Sequence, residues 1–188
     1  MGIKKRYTSL DSVREGLSEA SQTVFDEFLA FKWKLKDGEY SICDIGPGRP
    51  DFHGSLTYIM LQSFLGVYST LDYDARHYPT YVGDLTQTTP CADGQFDIVV
   101  CSEVLEHIYE TKAALKELMR ITGGILIITT PWVYKYHRQP EDYWRISPSA
   151  YEELLEELGA ESYDCKFIGN EKHVWVAVAK SGDWEYAL

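Results

Sequence analysis

The fold of this chain is decided by the stretch Tyr40-Ser41-Ile42-Cys43-Asp44-Ile45-Gly46-Pro47-Gly48, an apolar run that ends in a glycine-rich turn. Apolar residues then follow at helical spacing, at Leu56, Ile59, Met60 and Phe64. The segment therefore predicts a strand, a tight turn and a helix in that order. When such a unit repeats along a chain, it is typical of a parallel sheet with helices on its faces.

The same alternation continues to the end of the 188-residue chain. Seven strands are predicted, at residues 40–45, 67–71, 81–82, 96–101, 125–128, 161–168 and 173–179. Ser147-Pro148 offers a helix N-cap with proline at the first helical position, and Gly169-Asn170 favours an antiparallel pairing of the last two strands. We therefore predict an α/β protein with a Rossmann-like, doubly wound, seven-stranded sheet, mostly parallel with a C-terminal antiparallel hairpin.

The length predicts one domain over residues 1–188. Residues 1–37 are interpreted as an N-terminal helical cap, because Val24, Phe25, Phe28 and Phe31 recur at helical spacing, and residues 38–188 as the α/β core. The sequence leaves open whether the cap covers a ligand site or contacts a second subunit. Gly123-Gly124 is interpreted as the end of a loop before the fifth strand.

Composition narrows the classes of partner. Lysine and arginine total 18 against 29 aspartates and glutamates, a formal net charge of −11, so a nucleic-acid partner is not expected. Because the chain has no long apolar run and no signal-like segment after Met1, we expect no membrane partner and a cytoplasmic protein. Three of the four scattered cysteines lie in apolar strand-like runs and are interpreted as reduced core residues, and no ligand spacing indicates a metal site.

Carboxylates follow four of the first five strands. In an open α/β sheet, ligands bind beside the carboxyl ends of the strands, near the point where the strand order reverses. This places a candidate site at Asp44, Gly46, Pro47, Gly48, Asp72, Tyr73, Asp84, Leu85, Ser102 and Glu103. A nicotinamide dinucleotide fits poorly, because its glycine pattern has Asp51 in place of the third glycine and a pyrophosphate would meet the carboxylates. A cationic ligand such as S-adenosylmethionine fits better.

Residues 40–160 resemble the class I S-adenosylmethionine-dependent methyltransferases. The motifs that carry the resemblance are Asp44-Ile45-Gly46-Pro47-Gly48, residues 70–74, Val82-Gly83-Asp84 and residues 96–107. The resemblance implies that Gly46 and Gly48 let the backbone approach the methionine part of the cofactor, and that Asp72 accepts hydrogen bonds from the ribose. It further implies that Asp84 and Leu85 frame the adenine and that Ser102-Glu103 line the methyl-donor pocket.

The segment from Pro131 to Arg145 is dense in aromatic and ionisable residues and follows the fifth strand. It resembles a loop of methyltransferases associated with sugar and polysaccharide pathways. We interpret it as a substrate lid, with His137 as a general base and with Asp142, Tyr143 and Arg145 positioning a polar acceptor. A structural cover over the sheet edge is the alternative. His107 is interpreted mainly as a cap for the turn after the fourth strand.

These observations predict an enzyme that transfers a methyl group from S-adenosylmethionine to a small-molecule acceptor, of sugar or polysaccharide type. The alternative is a non-catalytic S-adenosylmethionine-binding subunit that supports a partner enzyme. A nicotinamide oxidoreductase is the third hypothesis, disfavoured by Asp51.

Overall fold

The computed structural model describes residues 14–15, 19–36, 38–48, 66–138 and 140–188. Within them lie three longer helices, α1 (Glu19–Lys34), α2 (Thr111–Ile121) and α3 (Pro148–Glu157). The strands are β1 (Tyr40–Ile45), β2 (Gly66–Asp72), β3 (Tyr81–Val82), β4 (Phe96–Ser102), β5 (Thr122–Pro131), β6 (Ser162–Ile168) and β7 (His173–Ala179). Short 3-10 turns lie at Ala75–His77, Leu105–His107 and Gly182–Ala187.

The seven strands form one sheet in the order β3-β2-β1-β4-β5-β7-β6. β1 pairs in parallel with β2 and β4, and the parallel set extends through β3 and β5. β7 is antiparallel to both β5 and β6. The predicted fold class, including the C-terminal hairpin, is therefore confirmed. Because β1 is followed by β2 on one side and has β4 on the other, the strand order reverses at the carboxyl end of β1.

The helices cover both faces of the sheet. α2 and α3 pack on the face that carries Cys43, Val99 and Leu126, whereas α1 packs on the opposite face. On that second face, Phe28 of α1 meets Trp175 of β7 edge to face, with ring centroids 5.1 Å apart. The predicted N-terminal helix is thus a layer of the core, because its apolar stripe needs a partner and the sheet supplies one.

One local prediction is wrong, and another cannot be compared. Gly123 and Gly124 lie inside β5, which begins at Thr122 directly after α2, so the predicted loop is absent there. A Cβ on Gly124 would come within 2.3 Å of the Asp97 carbonyl oxygen, so the glycine serves the close approach of β4 to β5. The helix predicted after β1, around Leu56 and Phe64, lies outside the described residues.

The four cysteines are free thiols, of which Cys43, Cys91 and Cys101 are buried and Cys165 is half-buried. Burial raises the pKa of the Cys165 thiol to about 12. Among the helices that the structure describes, none is both long and apolar enough to cross a bilayer.

Candidate active site

A cavity of about 610 Å³ opens at the carboxyl ends of the parallel strands. It lies at the reversal of strand order, where an open α/β sheet binds ligands, and its volume suits a nucleoside-sized molecule. Eight of the residues singled out from the sequence line it: Gly46, Gly48, Asp72, Tyr73, Asp84, Leu85, Glu103 and Tyr143. The carboxyl edge of the sheet therefore brings most of the expected ligand residues together in this cavity.

The turn after β1 forms the floor of this cavity. Gly46 has a φ of +60° and Gly48 a φ of +72°, a conformation that glycine adopts without the cost other residues pay. A Cβ on Gly46 would lie 2.9 Å from Cγ2 of Val104, whereas at Gly48 no atom of the described residues lies within 4 Å of the Cβ position. Among the described residues, the turn at Gly48 therefore leaves backbone that a ligand can approach closely.

Asp72 ends β2 as a buried carboxylate held in one orientation. Its Oδ1 accepts a hydrogen bond from the backbone N–H of Asp74 at 2.9 Å, and its Oδ2 lies 2.8 Å from Nδ1 of His77. A carboxylate offers about four lone-pair sites, so Asp72 keeps acceptor capacity for ligand hydroxyls. Asp74 is instead engaged by the Arg76 guanidinium, whose hydrogen bonds hold the pKa of that carboxyl well below its usual range.

Asp84 lies on the neighbouring wall of the cavity, two residues beyond β3. Its Oδ1 accepts hydrogen bonds from both the backbone N–H and the hydroxyl of Thr86, each at 2.9 Å. This fixes the carboxylate while Leu85 beside it is buried in the core. The pair can therefore present one polar and one apolar contact to the same ligand group.

Glu103 follows β4 with a φ of +55°, an uncommon value for a residue with a side chain. Its backbone N–H donates to the Thr129 carbonyl oxygen at 2.9 Å, and its Oε1 accepts from the Thr129 hydroxyl at 3.0 Å. Its Oε2 lies 3.5 Å from Nε2 of the buried His173. β5 and β7 thereby hold this carboxylate at the cavity wall.

Three residues expected to hold the ligand do not line the cavity: Asp44, Pro47 and Ser102. Asp44 is buried and its Oδ2 accepts from the Tyr68 hydroxyl at 2.7 Å. The Ser102 hydroxyl is hydrogen-bonded to that of Thr129 at 2.8 Å. Both residues belong to the strands themselves, Asp44 as the penultimate residue of β1 and Ser102 as the last of β4, and side chains within a strand point to the faces of the sheet.

The loop after β5 divides into a structural part and a cavity-facing part. Asp142 is almost fully buried and receives two hydrogen bonds from Arg145, which hold the pKa of its carboxyl well below its usual range. It also accepts from the backbone N–H of His137 at 2.8 Å. Of the four acceptor residues predicted here, Tyr143 lines the cavity, whereas His137, Asp142 and Arg145 contact one another within the loop.

Tyr143 is placed by contacts with the turn after β4. Its backbone N–H donates to the Glu106 carbonyl oxygen at 2.8 Å, and its ring meets the Tyr109 ring edge to face with centroids 5.5 Å apart. His107 fastens the same loop, because its Nδ1 is hydrogen-bonded to the Glu141 carbonyl oxygen. The loop therefore closes over the cavity from the β4 side.

Sequence reasoning missed several lining residues, including His77, Val104, His107, Tyr109 and Pro140. Most of them lie within about seven residues of the end of β2 or β4, so a wider window after each strand would have found them. The lining carries more carboxylates than cations, with Asp72, Asp74, Asp84, Glu103 and Glu110 against Arg76. Bare glycine backbone, a fixed carboxylate and an acidic wall fit a ligand that combines hydroxyls with positive charge.

Comparison with known proteins agrees with this geometry. A family model described as a methyltransferase domain matches residues 62–128. A demethylmenaquinone methyltransferase of Mycolicibacterium paratuberculosis is 43% identical over 56 residues, which are 29% of this chain and 24% of that protein. The chain thus matches only about a quarter of the length of this relative.

Solved structures share the fold at low sequence identity. The CurJ carbon methyltransferase has a TM-score of 0.70 at 13% identity, covering 93% of this chain and 59% of its own. A SAM-dependent methyltransferase from Aquifex aeolicus has a TM-score of 0.62 at 14% identity, covering 92% and 98%. One from Archaeoglobus fulgidus has a TM-score of 0.61 at 13% identity, covering 92% and 95%.

The family match falls on the part of the chain that builds the cavity, from β2 to β5. The fold class is the one that the sequence predicted, and seven of the ten residues expected to hold the cofactor line the cavity. Over residues 62–128 this chain matches the methyltransferase-domain family model, and its fold is that of S-adenosylmethionine-dependent methyltransferases of known structure.

Proposed function

We propose that this protein transfers a methyl group from S-adenosylmethionine to a small-molecule acceptor. One observation carries the proposal: seven of the ten strand-end residues expected to hold the cofactor line the same cavity as Tyr143 of the acceptor loop. Cofactor and acceptor would therefore meet in one space, which a direct transfer requires.

Gly46 and Gly48 would admit the methionine part of the cofactor against bare backbone, and Asp72 would accept from the ribose hydroxyls. Asp84 and Leu85 would frame the adenine. When bound, S-adenosylmethionine supplies a sulfonium whose methyl group is electrophilic. The acidic lining favours that positive charge, since opposite charges in a partly desolvated cavity attract more strongly than in water.

The chain's own contribution is placement. Tyr143 and Tyr109 lie at the cavity wall and can hold an acceptor ring or hydroxyl against the methyl donor. Alignment of this kind can supply about 7–11 kcal/mol of a transfer barrier. Asp142 and Arg145 would act as positioning residues, because their ion pair holds the loop that carries Tyr143.

The acceptor that we propose is a sugar or a polysaccharide-related molecule. Support comes from the loop resemblance and from the aromatic rings of Tyr109, Tyr143 and Trp144, which contact one another and can stack on a sugar ring. The net charge of −11 disfavours a nucleic-acid acceptor. The unpaired thiols support a reducing compartment, so we propose that the protein acts in the cytoplasm.

The first test is calorimetry with S-adenosylhomocysteine and with NADH. We expect binding of the first ligand alone, and binding of NADH alone would refute the proposal. Labelled S-adenosylmethionine, incubated with the protein and candidate sugars or small-molecule extracts, should then give a labelled product identifiable by mass spectrometry. Cofactor binding without transfer to any acceptor would favour the non-catalytic subunit instead.

A matched pair of loop variants tests the acceptor side. Tyr143→Ala should lower kcat/KM for the acceptor and leave S-adenosylhomocysteine affinity nearly unchanged, because Tyr143 reaches the cavity from the loop. Tyr136→Ala is the control, since Tyr136 is an exposed tyrosine of the same loop outside the cavity lining. Equal activity in the two variants would contradict an acceptor role for Tyr143.

A further inference from the structure

The turn after β4 carries a carboxylate that has no use in the chemistry described above. Glu106 is completely buried, and neither of its side-chain oxygens has a hydrogen-bond partner among the described residues. Buried polar groups in native proteins almost always have a hydrogen-bond partner, so Glu106 calls for a ligand that the described residues do not provide.

Two imidazoles surround this carboxylate. One ligand atom each from Glu106, His107 and His137 lie within 4.8 Å of one another. Nε2 of His107 is 3.6 Å from Oε1 of Glu106, and the two histidine rings meet edge to face with centroids 4.9 Å apart. Together they form a set of two histidines and one carboxylate drawn from two separate segments.

We propose that Glu106, His107 and His137 bind a divalent transition-metal ion of the zinc type. Two imidazoles and one carboxylate are a known ligand set for zinc with three protein ligands and an open fourth position. Imidazole ligands favour such ions over magnesium or calcium, which take oxygen. The site is additional to the proposed methyl transfer and does not depend on it.

The outer contacts of both histidines suit this role. Nδ1 of His107 is hydrogen-bonded to the Glu141 carbonyl oxygen, which leaves Nε2 for the ion. Nδ1 of His137 is buried without a hydrogen bond among the described residues and lies 3.2 Å from Oδ2 of Asp142, which Arg145 holds in place. Metal-binding histidines commonly have such a carbonyl or carboxylate behind them, because it orients the ring and raises its basicity.

Only a small movement of the side chains is needed to bind the ion. Ligand atoms around a tetrahedral zinc ion lie about 3.4 Å apart, and the ligand atoms of Glu106, His107 and His137 lie within 4.8 Å of one another. The His107 and Glu106 atoms are already near that distance. His137 lies on the partly exposed loop and can approach. The ion would then tie the loop to the turn after β4, beside the cavity that His107 lines.

The test is metal binding by the full chain. The protein is stripped with a chelator, dialysed and titrated with Co²⁺, whose visible absorption reports coordination, and Zn²⁺ is then added as a competitor. We expect one equivalent of Co²⁺ with a tetrahedral spectrum, displaced by Zn²⁺, and a rise in the thermal midpoint with either ion.

Variants decide which residues hold the ion. Glu106→Gln and His137→Ala should each weaken binding by at least about tenfold, the usual effect of losing one ligand or its support. His77→Gln is the matched control, because His77 is another partly buried histidine beside a carboxylate, Asp72, outside the cluster. If Glu106→Gln fails to fold, His137→Ala on the loop decides alone. Absence of binding in the parent, or equal binding in parent and His137→Ala, would overturn the proposal.

Discussion

A methyl group added at Gly48 tests the cofactor side of the cavity. Gly48→Ala places a Cβ in space where no described residue has an atom within 4 Å, at a φ of +72°. The added methyl group therefore meets no neighbour among the described residues. A loss of S-adenosylhomocysteine affinity would indicate that the ligand occupies this space. Gly159→Ala is the control, since Gly159 has a φ of +79°, an equally open Cβ position and no part in the cavity.

Both substitutions carry the same backbone cost. An L-residue in the left-handed region costs about 1–2 kcal/mol, and the reduced freedom of the unfolded chain offsets about 0.4–1 kcal/mol of it. Each variant should therefore lose about 1 kcal/mol of unfolding free energy and about 2–4 °C in Tm. Overpacking against a ligand costs about 1–3 kcal/mol, so Gly48→Ala alone should weaken S-adenosylhomocysteine binding roughly 5- to 150-fold.

Calorimetric titration gives the affinities, and thermal unfolding of the unliganded proteins gives the stabilities. Parent-like affinity in Gly48→Ala would show that the ligand does not approach this backbone. A loss of affinity in Gly159→Ala as large as that in Gly48→Ala would trace both effects to strain alone. Either result would refute the placement of the cofactor.

Three further predictions follow from other contacts. Asp72→Ala should weaken S-adenosylhomocysteine binding by at least about tenfold in calorimetry, because a charged hydrogen bond contributes about 1.5–3 kcal/mol, and parent-like affinity would contradict the ribose role. Burial opposes ionisation of Glu117, but hydrogen bonds from Arg120 and from the Thr89 N–H prevail and lower its pKa. The ionised Glu117 therefore stabilises the fold above about pH 4.3, and this stabilisation is lost as the pH falls through the pKa of the folded state. In urea unfolding at neutral pH, Glu117→Gln should lower the free energy of unfolding by about 2 kcal/mol, and the difference should shrink in acid. Cys165, with its pKa near 12, should react with iodoacetamide at pH 8 far more slowly than an unfolded-chain cysteine, and fast labelling seen by mass spectrometry would count against its burial.

The sequence predicts the sheet well because its strands are short apolar runs between turn residues. β1 and β7 begin and end where the pattern of apolar residues and glycine indicated. The site edge follows from the same pattern, since parallel strands bring their carboxyl ends together. That Asp72, Asp84 and Glu103 line the cavity could therefore be predicted from their positions after the strands alone.

The partners of the loop residues could not be predicted in the same way. Asp142, Tyr143 and Arg145 are neighbours in sequence, yet two of them pair with each other and one reaches the cavity. Which side chain turns inward depends on the Glu106 carbonyl that receives the Tyr143 N–H, a contact between distant segments. The cluster of Glu106, His107 and His137 was missed for the same reason, because its members have no regular spacing.

The packing of α1 on the sheet has a consequence for the order of folding. Phe28 in α1 packs on Trp175 in β7. The first longer helix of the described chain therefore contacts its last strand. Contacts of such sequence separation are slow to form, because the intervening chain must be ordered before they repay its entropy. During synthesis the contact of Phe28 with Trp175 cannot form until β6 and β7 have been made. Docking of α1 on this hairpin is therefore a late step of folding.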